Sequence, residues 1–590
     1  METVQSDTKY FGDLGELALF GLLGEKIRPS NAVEMDQAVA TLSSGKEAWA
    51  RLPVQDRIRL LDALIRDYSG LCDRWVELGI AAKQAQGDAY AEGLEWGGGP
   101  MAILRYMRRI RLTLESINHN GKPPPPEGVI IRPNGQVAAR VYPTNLYERL
   151  TTPGTTAEVW MDPGLSADEL SHSQATAYRE EERNGKVCLV LGSGNVSGCP
   201  VNDSLSKLFV ENQVVLLKMS PVNEYLGPLI ERGLRALISE GYLRVLYGSA
   251  AEGGYLCSQP GVDAIHITGS DKTYEAIVFG SGSEGQRRKK QEERLSVKPF
   301  TSELGNVAPA IIVPGPWNHA DVSYQAEQLA SHLCDNASYS CSRTRMIVQH
   351  SSWQLRHDFL HMIETVLSLI PPRFAYYPGA VEQYNQFLSA HPEAKLYGLR
   401  QGGKLPWALI SGLDPNTEGE ICFKKESFCP IIAETALEAS SAADFIDRAV
   451  DFANRRLWGT LTATIIVHPR SLEDTAVSSA LDRALYNLRY GVIAVNCTPG
   501  LAWVMTVPPW GSFPNNSPWN IQSGTGFVHN SFMFSRPQKT VLRAPFRTWP
   551  HPVWFPSRAT SFSEVTRKIV KYEREPSWWL VPGILWAGLR

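Results

Sequence analysis

Two reactive side chains stand out in the central part of the sequence. Cys341 lies in NASYSCSRTRMIVQ (336–349), between a polar stretch and a strand-like run, and Glu303 lies in TSELGN (301–306) before an apolar run. A thiolate is a strong nucleophile that can form a thioester-type adduct with a carbonyl carbon. A carboxylate among apolar neighbours has a raised pKa and becomes a usable general base. The pair is therefore typical of covalent catalysis at a carbonyl group.

Polar residues follow three of the predicted strands. Asn195 ends LGSGN after the first strand, Lys218 closes the buried run VVLLK, and Gly269 and Ser270 lie in ITGS before a helix. Ligands bind at the carboxyl ends of parallel strands, so these residues are expected at one edge. The Asn195 amide could donate to a developing oxyanion, and Lys218 could hold a ribose or a phosphate. Backbone N–H groups at a helix start could hold a phosphate.

A further motif, KKESFCP (424–430), places Glu426 and Phe428 two residues apart. Glu426 could hydrogen bond a ribose while Phe428 contacts a flat ring. Each motif alone also has a structural explanation, because Asn195 could simply turn the chain and a free cysteine is among the most buried residue types. The order and spacing of the motifs carry the functional prediction.

Taken together, these motifs resemble the aldehyde dehydrogenase superfamily over about residues 45–545. The shared order is Asn195 at a strand tip, Lys218 ending the next strand, Gly269–Ser270, Glu303 in ELG, and N-x-x-x-x-C ending at Cys341. It finishes with E-x-F-x-P at residues 426–430. The resemblance implies NAD or NADP as cofactor and oxidation of an aldehyde to a carboxylic acid through a cysteine hemithioacetal and thioester.

The resemblance also implies a role for each residue. Cys341 would attack the aldehyde, Asn195 with the Cys341 N–H would form the oxyanion hole, and Glu303 would activate water. The predicted cofactor contacts are Lys218 and Glu426 to the two riboses, Gly269 and Ser270 to a phosphate, and Phe428 beside the nicotinamide ring. No metal ligand set is expected.

The sequence departs from the family pattern near the site. Tyr339 replaces a glutamine two residues before the cysteine, and we expect its bulk to reshape the entrance to the thiol. ELGGK reads ELGNV, with Asn306 and Val307. Pro221 stands where NAD-preferring members often carry a glutamate that binds the ribose 2′-hydroxyl, so NADP and NAD both stay open.

Strands alternate with helices in two regions, which predicts an α/β fold with parallel sheets. GGGP (97–100) is expected to interrupt a helical region, residues 222–241 to form one long helix, and the charged segment 280–298 to be a surface loop. We predict a Rossmann-like cofactor domain at 1–127 and 164–302 and a catalytic domain at 303–535. The resemblance to the aldehyde dehydrogenases implies a β-hairpin oligomerisation arm at 128–163 and 536–547.

The tail, 548–590, carries Trp549, Trp554, Trp578, Trp579 and Trp586. Its tryptophans fit three explanations: packing on the protein itself or on a neighbouring subunit, a peripheral membrane contact, or a lid over an apolar substrate tunnel.

Composition narrows the classes of protein. The net charge of −3 gives no electrostatic case for nucleic acid. Nine scattered cysteines without CxxC argue against disulfide or zinc frameworks, the N-terminus does not resemble a secretion signal, and no segment is apolar enough to span a membrane. A cytoplasmic setting is expected, and the family resemblance implies a homodimer or homotetramer.

Two alternatives to aldehyde oxidation stay open. A CoA-acylating aldehyde dehydrogenase or acyl-CoA reductase would pass the thioester to or from CoA and would not require Glu303. An inactive homologue acting in assembly would explain the departures around Cys341. An apolar, long-chain or aromatic substrate is suggested only by aromatic residues in the tail and in WVMTVPPWGSF (503–513).

Overall fold

The computed structural model describes residues 27–180 and 183–590. The segment on which the secretion-signal prediction was made lies outside these residues. The described helices are α1 Ala32–Arg51, α2 Val54–Ser69, α3 Cys72–Ala82, α4 Ala89–Trp96, α5 Ala102–Asn120, α6 Leu146–Thr151, α7 Cys199–Leu205, α8 Gly227–Gly233, α9 Arg235–Ser239, α10 Ala250–Ser258, α11 Asp271–Val278, α12 Gly282–Lys290, α13 His319–Cys334, α14 Arg356–Leu369, α15 Ala380–Ala390, α16 Ile421–Lys424, α17 Ala442–Arg456, α18 Thr475–Asn487, α19 Gly500–Met505, α20 Ala559–Arg574 and α21 Val581–Leu589.

The described strands are β1 Gly128–Ile131, β2 Val137–Tyr142, β3 Thr156–Met161, β4 Val187–Leu191, β5 Val214–Lys218, β6 Leu243–Leu246, β7 Ala264–Gly269, β8 Phe300–Leu304, β9 Ala308–Ile312, β10 Thr344–His350, β11 Arg373–Phe374, β12 Lys395–Tyr397, β13 Lys404–Leu405, β14 Trp407–Leu413, β15 Ile431–Leu437, β16 Thr462–Ile466, β17 Val492–Val495, β18 Pro509–Gly511, β19 Gly524–Thr525, β20 Phe527–His529 and β21 Pro537–Arg543.

The first large sheet has six strands in the order β19-β8-β7-β4-β5-β6, and all its pairs except β19–β8 are parallel. Its central strands β4 and β5 are buried at every residue, as expected for strands covered by helices on both faces. Leu191, Lys218 and Gly269 end neighbouring parallel strands. The residues predicted to bind ligand therefore follow one edge of this sheet.

The second large sheet has eleven strands in the order β1-β2-β3-β21-β17-β16-β9-β10-β15-β14-β12. Strands β21 to β14 run parallel, whereas β1 to β3 join them antiparallel through the β21–β3 pair. The segment predicted as an arm is thus continuous with the sheet that carries β10, the strand after Cys341. The α/β prediction with parallel sheets is confirmed.

Three local predictions were wrong. GGGP does not break the helix, because Gly97–Met101 forms a π-helical turn that joins α4 to α5, with Pro100 inside it. Residues 222–241 are helical only in pieces, since Leu234 falls between α8 and α9 with a non-helical ψ of 19°. The charged segment 280–298 contains a helix, α12, whose Glu284 pairs with Arg287 and Arg288.

The C-terminal tail packs on the helices near the N-terminus. Helix α20 lies against α4 and the π turn, where Gly93 leaves room for the ring of Phe562. Glu573 accepts hydrogen bonds from Arg105 and Arg108 of α5, each at 2.8 Å. Among the described residues, no helix is long and apolar enough to cross a bilayer.

Candidate active site

Cys341 and Glu303 are in direct contact, although they come from different sheets. The Cys341 thiol donates a hydrogen bond to Glu303 Oε1, with an Sγ–Oε1 distance of 2.9 Å. Glu303 lies on β8 and is 5% exposed, whereas Cys341 is the one cysteine of nine that is not fully buried. The arrangement places a nucleophile and a proton acceptor at hydrogen-bonding distance, as covalent catalysis requires.

Burial sets the protonation of both groups. Burial raises the pKa of Glu303 to about 7, and the buried carboxylate of Asp203 adds to this rise. The same causes, burial first and then the neighbouring Glu303 carboxylate, hold the pKa of the Cys341 thiol well above its ordinary value. A carboxyl that titrates near neutral pH can act as a general base under physiological conditions.

The loop before Cys341 has an unusual backbone. Asn336, Ala337 and Ser338 have φ values of 51°, 51° and 74°, a region that residues other than glycine seldom adopt. The Asn336 amide donates to Tyr339 O at 2.8 Å, and the Arg345 guanidinium donates to Ser338 O at 2.5 Å. These side chains hold the strained turn that presents the thiol.

The main chain at Asn195 is held by hydrogen bonds to its backbone oxygen. This oxygen accepts hydrogen bonds from Asn336 Nδ2 at 3.0 Å, Tyr376 Oη at 3.1 Å and Lys83 Nζ at 3.3 Å. Lys83 also donates to Asn336 Oδ1 at 2.8 Å. Because three side chains hold the main chain, the Asn195 side chain is free to line the same cavity as Cys341 and Glu303.

The π turn provides space for the loop that follows Asn195. Gly198 N donates to Gly98 O at 3.0 Å, and a Cβ at position 198 would lie 2.4 Å from that oxygen. A Cβ at Gly99 would lie 2.7 Å from the Trp75 indole and 2.9 Å from Ser197 Oγ. The glycines of GGGP are therefore required for close packing beside the site, a role that the sequence analysis missed.

The residues predicted to bind the cofactor follow the strand ends as expected, and their surroundings suit a polar ligand. Lys218 is 6% exposed, and burial lowers its pKa to about 8. The carboxylates of Glu252 and Glu224 act in the opposite direction and raise its pKa. Gly269 ends β7, and Ser270 caps α11 through a 3.1 Å bond from Thr273 N. Both lie exposed at the start of a helix, where N–H groups can hold a phosphate.

Glu426 has a buried oxygen available for a ligand. Its Oε1 has no hydrogen-bond partner, and its Oε2 occupies the space above Gly305, where a Cβ would lie 1.6 Å away. Burial raises the pKa of Glu426 to about 8. A ligand hydroxyl would satisfy the unpaired oxygen. Phe428 packs edge-on against Tyr377, with ring centroids 5.0 Å apart.

The predicted effect of one sequence departure is not found. Tyr339 does not shape the entrance to the thiol, because its ring is 1% exposed and packs against Tyr376 and Phe428, away from the cavity. Asn306 and Val307 are fully buried, and Asn306 Nδ2 donates to Thr462 O at 2.9 Å. Both departures from the family pattern therefore change residues of the buried core.

A cavity of about 650 Å³ connects these groups with the tail. Asn195, Glu303 and Cys341 line it, together with residues of α4, α5, α20 and α21. Cys199 and Cys497 also line it. The site is therefore a cavity with a thiol, a carboxyl and an amide in its wall, which is the expected form of a small-molecule site.

Comparison with known proteins agrees with this geometry. Residues 200–367 match the family described as the aldehyde dehydrogenase family. No curated protein sequence matches the chain. Among solved structures, an indole-3-acetaldehyde dehydrogenase complexed with NAD⁺ superposes with a TM-score of 0.56 at 17% identity, covering 88% of this chain and 90% of that one.

Two further structures give the same result. A glyceraldehyde-3-phosphate dehydrogenase of Methanocaldococcus jannaschii complexed with NADP has a TM-score of 0.58 at 16% identity, covering 88% of this chain and 96% of that one. An NAD-dependent aldehyde dehydrogenase from Sinorhizobium meliloti has a TM-score of 0.55 at 16% identity, covering 88% and 89%. The fold is that of the aldehyde dehydrogenases. The match to the family covers residues 200–367, and the structural likeness to solved aldehyde dehydrogenases covers most of the chain.

Proposed function

We propose that this protein oxidises an aldehyde to a carboxylic acid, with NAD⁺ or NADP⁺ as the hydride acceptor. The observation that carries the proposal is the 2.9 Å contact between Cys341 Sγ and Glu303 Oε1 inside the cavity that Asn195 also lines. The cofactor, when bound, supplies an electron-poor ring that accepts hydride from the substrate carbon. Lys218, Ser270, Glu426 and Phe428 are the residues that would hold it.

The chain's own residues carry the covalent steps. Cys341, deprotonated by Glu303, adds to the aldehyde carbon, and the carbonyl oxygen becomes an oxyanion facing the Asn195 amide. Loss of hydride from that carbon leaves a thioester on Cys341. Glu303 passes the thiol proton to solvent and then takes a proton from water as the water attacks the thioester. The acid forms as the thiolate leaves, and Glu303 returns its proton to the sulfur, which restores the thiol.

Cys341→Ala should abolish NAD(P)H formation, because it removes the thiol that hydrogen bonds Glu303. We expect kcat to fall at least about a thousandfold. Cys334→Ala is the matched control. Cys334 ends helix α13, close to Cys341 in sequence, but it is fully buried and does not line the cavity. Turnover is measured as the increase in NAD(P)H absorbance with short, long and aromatic aldehydes. Turnover that survives in Cys341→Ala would refute the proposal.

The position of Glu303 supports hydrolysis over transfer to CoA, because its carboxylate already lies where it could activate water. Assays with and without CoA separate the two reactions. Free acid formed without CoA supports the dehydrogenase, whereas acyl-CoA formed with no free acid would support the CoA-acylating alternative.

Alkylation tests the inactive-homologue alternative. Cys341 should react with iodoacetamide before the other eight cysteines, because those are fully buried. Peptide mapping after partial alkylation gives the order of reaction. Equal rates at all nine positions would favour the inactive homologue.

Assembly and location are also part of the proposal. A cytoplasmic homodimer or homotetramer joined through β1–β3 is supported by the exposed apolar side chains of the edge strand β1, Val129 and Ile131, and by nine free cysteines. A peripheral membrane contact through the tail is supported by exposed Trp578, Trp579 and Trp586.

A further inference from the structure

The C-terminal tail forms one wall of the cavity that contains Cys341. Helix α20 contributes Phe562, Val565 and Ile569 to this wall, and α21 contributes Ile584 and Leu585. The tail thus encloses the same space in which the thiol, Glu303 and Asn195 meet, although it begins more than two hundred residues after Cys341.

The wall facing the tail is also apolar. Leu94 and Met101 on the α4–α5 side and Trp503 and Val504 after β17 line the same cavity as the thiol and the tail. Cys341 itself packs against the hydrophobic cluster that contains Trp503. An apolar path therefore leads from the reacting sulfur to helix α20.

The cations in the cavity wall all have a carboxylate partner, and two of them share one. Each of the five lysine and arginine side chains that line it pairs with a carboxylate of the protein: Arg105 and Arg108 with Glu573, Arg109 with Glu148, Arg343 with Asp335, and Lys83 with Glu95. A substrate carrying a carboxylate or phosphate would find no unpaired cation among them. The cavity therefore favours a neutral, apolar group.

We propose that the tail builds an apolar subsite, and that the preferred substrates are aldehydes whose non-reacting end is a large alkyl or aryl group. The proposal rests on the proposed aldehyde oxidation. The aldehyde carbon lies at Cys341 while the apolar group extends towards Val565 and Ile569. The volume of about 650 Å³ lies within the range of about 300–1,000 Å³ found for sites that enclose drug-sized ligands.

The first test compares decanal and phenylacetaldehyde with acetaldehyde, using protein saturated with NAD⁺ or NADP⁺. The wild type should show a kcat/KM at least about tenfold higher for one or both apolar aldehydes, since each further buried methylene adds binding. Decanal distinguishes an alkyl-binding subsite, and phenylacetaldehyde an aryl-binding one. Equal kcat/KM for all three aldehydes would overturn the subsite while leaving aldehyde oxidation intact.

The second test fills the subsite. Ile569→Trp places bulk in the cavity and should lower the ratio of kcat/KM for decanal over acetaldehyde about tenfold or more. Lys571→Trp is the matched control, because it adds the same side chain to the exposed side of the same helix and should not change the ratio. Ile569→Ala, which removes contact area, is the second variant and should lower the ratio about threefold to tenfold.

A binding measurement separates this inference from the proposed function. Decanoate is titrated calorimetrically into Cys341→Ala and into the same variant carrying Ile569→Trp or Lys571→Trp. Weaker binding only with Ile569→Trp supports the subsite even if no aldehyde is oxidised. Binding that is absent, or equal in all three proteins with native thermal unfolding, overturns it.

Discussion

A single hydrogen bond between Cys341 and Glu303 couples the chemistry of two residues that the sequence shows far apart. Because Glu303 has a pKa of about 7, it exists in both protonation states near neutral pH. Its anionic form can accept a proton from the thiol or from water, whereas its neutral form cannot. In the proposed mechanism, the acidity of this carboxyl controls both the attack on the aldehyde and the release of the acid.

We expect kcat to rise with pH through about 7 and then to level, because the base must be ionised. Glu303→Gln should remove this limb and lower kcat at least about a hundredfold. Stability should change in the opposite sense. The folded-state pKa lies above the ordinary value of 4.5, so the protonated form is favoured by folding, and stability falls as pH rises from 4.5 to about 7. A pH–rate profile unchanged by Glu303→Gln would contradict this assignment.

At the scale of elements, helix α20 is held on α5 by one carboxylate between two arginines. Glu573 is 5% exposed and bonds Arg105 Nε and Arg108 Nη1 at 2.8 Å each. The two arginines lie one helical turn apart, so they face the same neighbour. Tyr572 stacks on Tyr147 of α6 with centroids 3.9 Å apart, which adds a second contact.

Glu573→Ala should release the tail, because it leaves two arginines without their partner at a largely buried contact. Removing one partner of a buried ion pair costs about 3–5 kcal/mol. We expect faster proteolysis within residues 548–590 and a lower kcat/KM for decanal. Glu575→Ala is the control, because Glu575 is exposed two residues further along the chain, and it should leave proteolysis unchanged. Equal protection of the tail in both variants would show that Glu573 does not hold it.

The elements were largely predictable from sequence, whereas their contacts were not. Short, wholly apolar runs such as VVLLK predict buried parallel strands. The order of motifs around Lys218 and Cys341 indicates the family that the chain resembles. The prediction for GGGP was wrong because a glycine-rich stretch normally breaks a helix. The close contact with Gly198, which the sequence does not show, explains why glycines are needed in this helical segment. The bond between Arg105 and Glu573 has no local signal, since 468 residues separate them.

At the scale of the whole molecule, the eleven-stranded sheet has an exposed edge at β1. Val129 and Ile131 are 45% and 66% exposed there, and the strand has unpaired backbone groups on one side. An edge strand with apolar side chains is a surface on which another chain can pair. This edge is the basis of the proposed subunit contact.

Ile131→Lys should weaken that contact, because it introduces a charge at the edge. We expect a shift towards monomer in analytical ultracentrifugation, with thermal stability changed by less than about 0.5 kcal/mol, as is usual for exposed sites. Leu399→Lys is the control, because Leu399 is exposed at 78% outside the arm. An unchanged sedimentation coefficient would exclude β1 as the interface.

The same sheet runs without interruption from the β1 edge through β21 to β17, whose end leads into Asn496 and Cys497 of the cavity wall. The hydrogen bonds between these strands connect the outer strands of the sheet firmly to the wall of the cavity that contains Cys341. If subunits associate at that edge, diluting the protein until it dissociates should also diminish its turnover, and both losses should follow the same concentration curve.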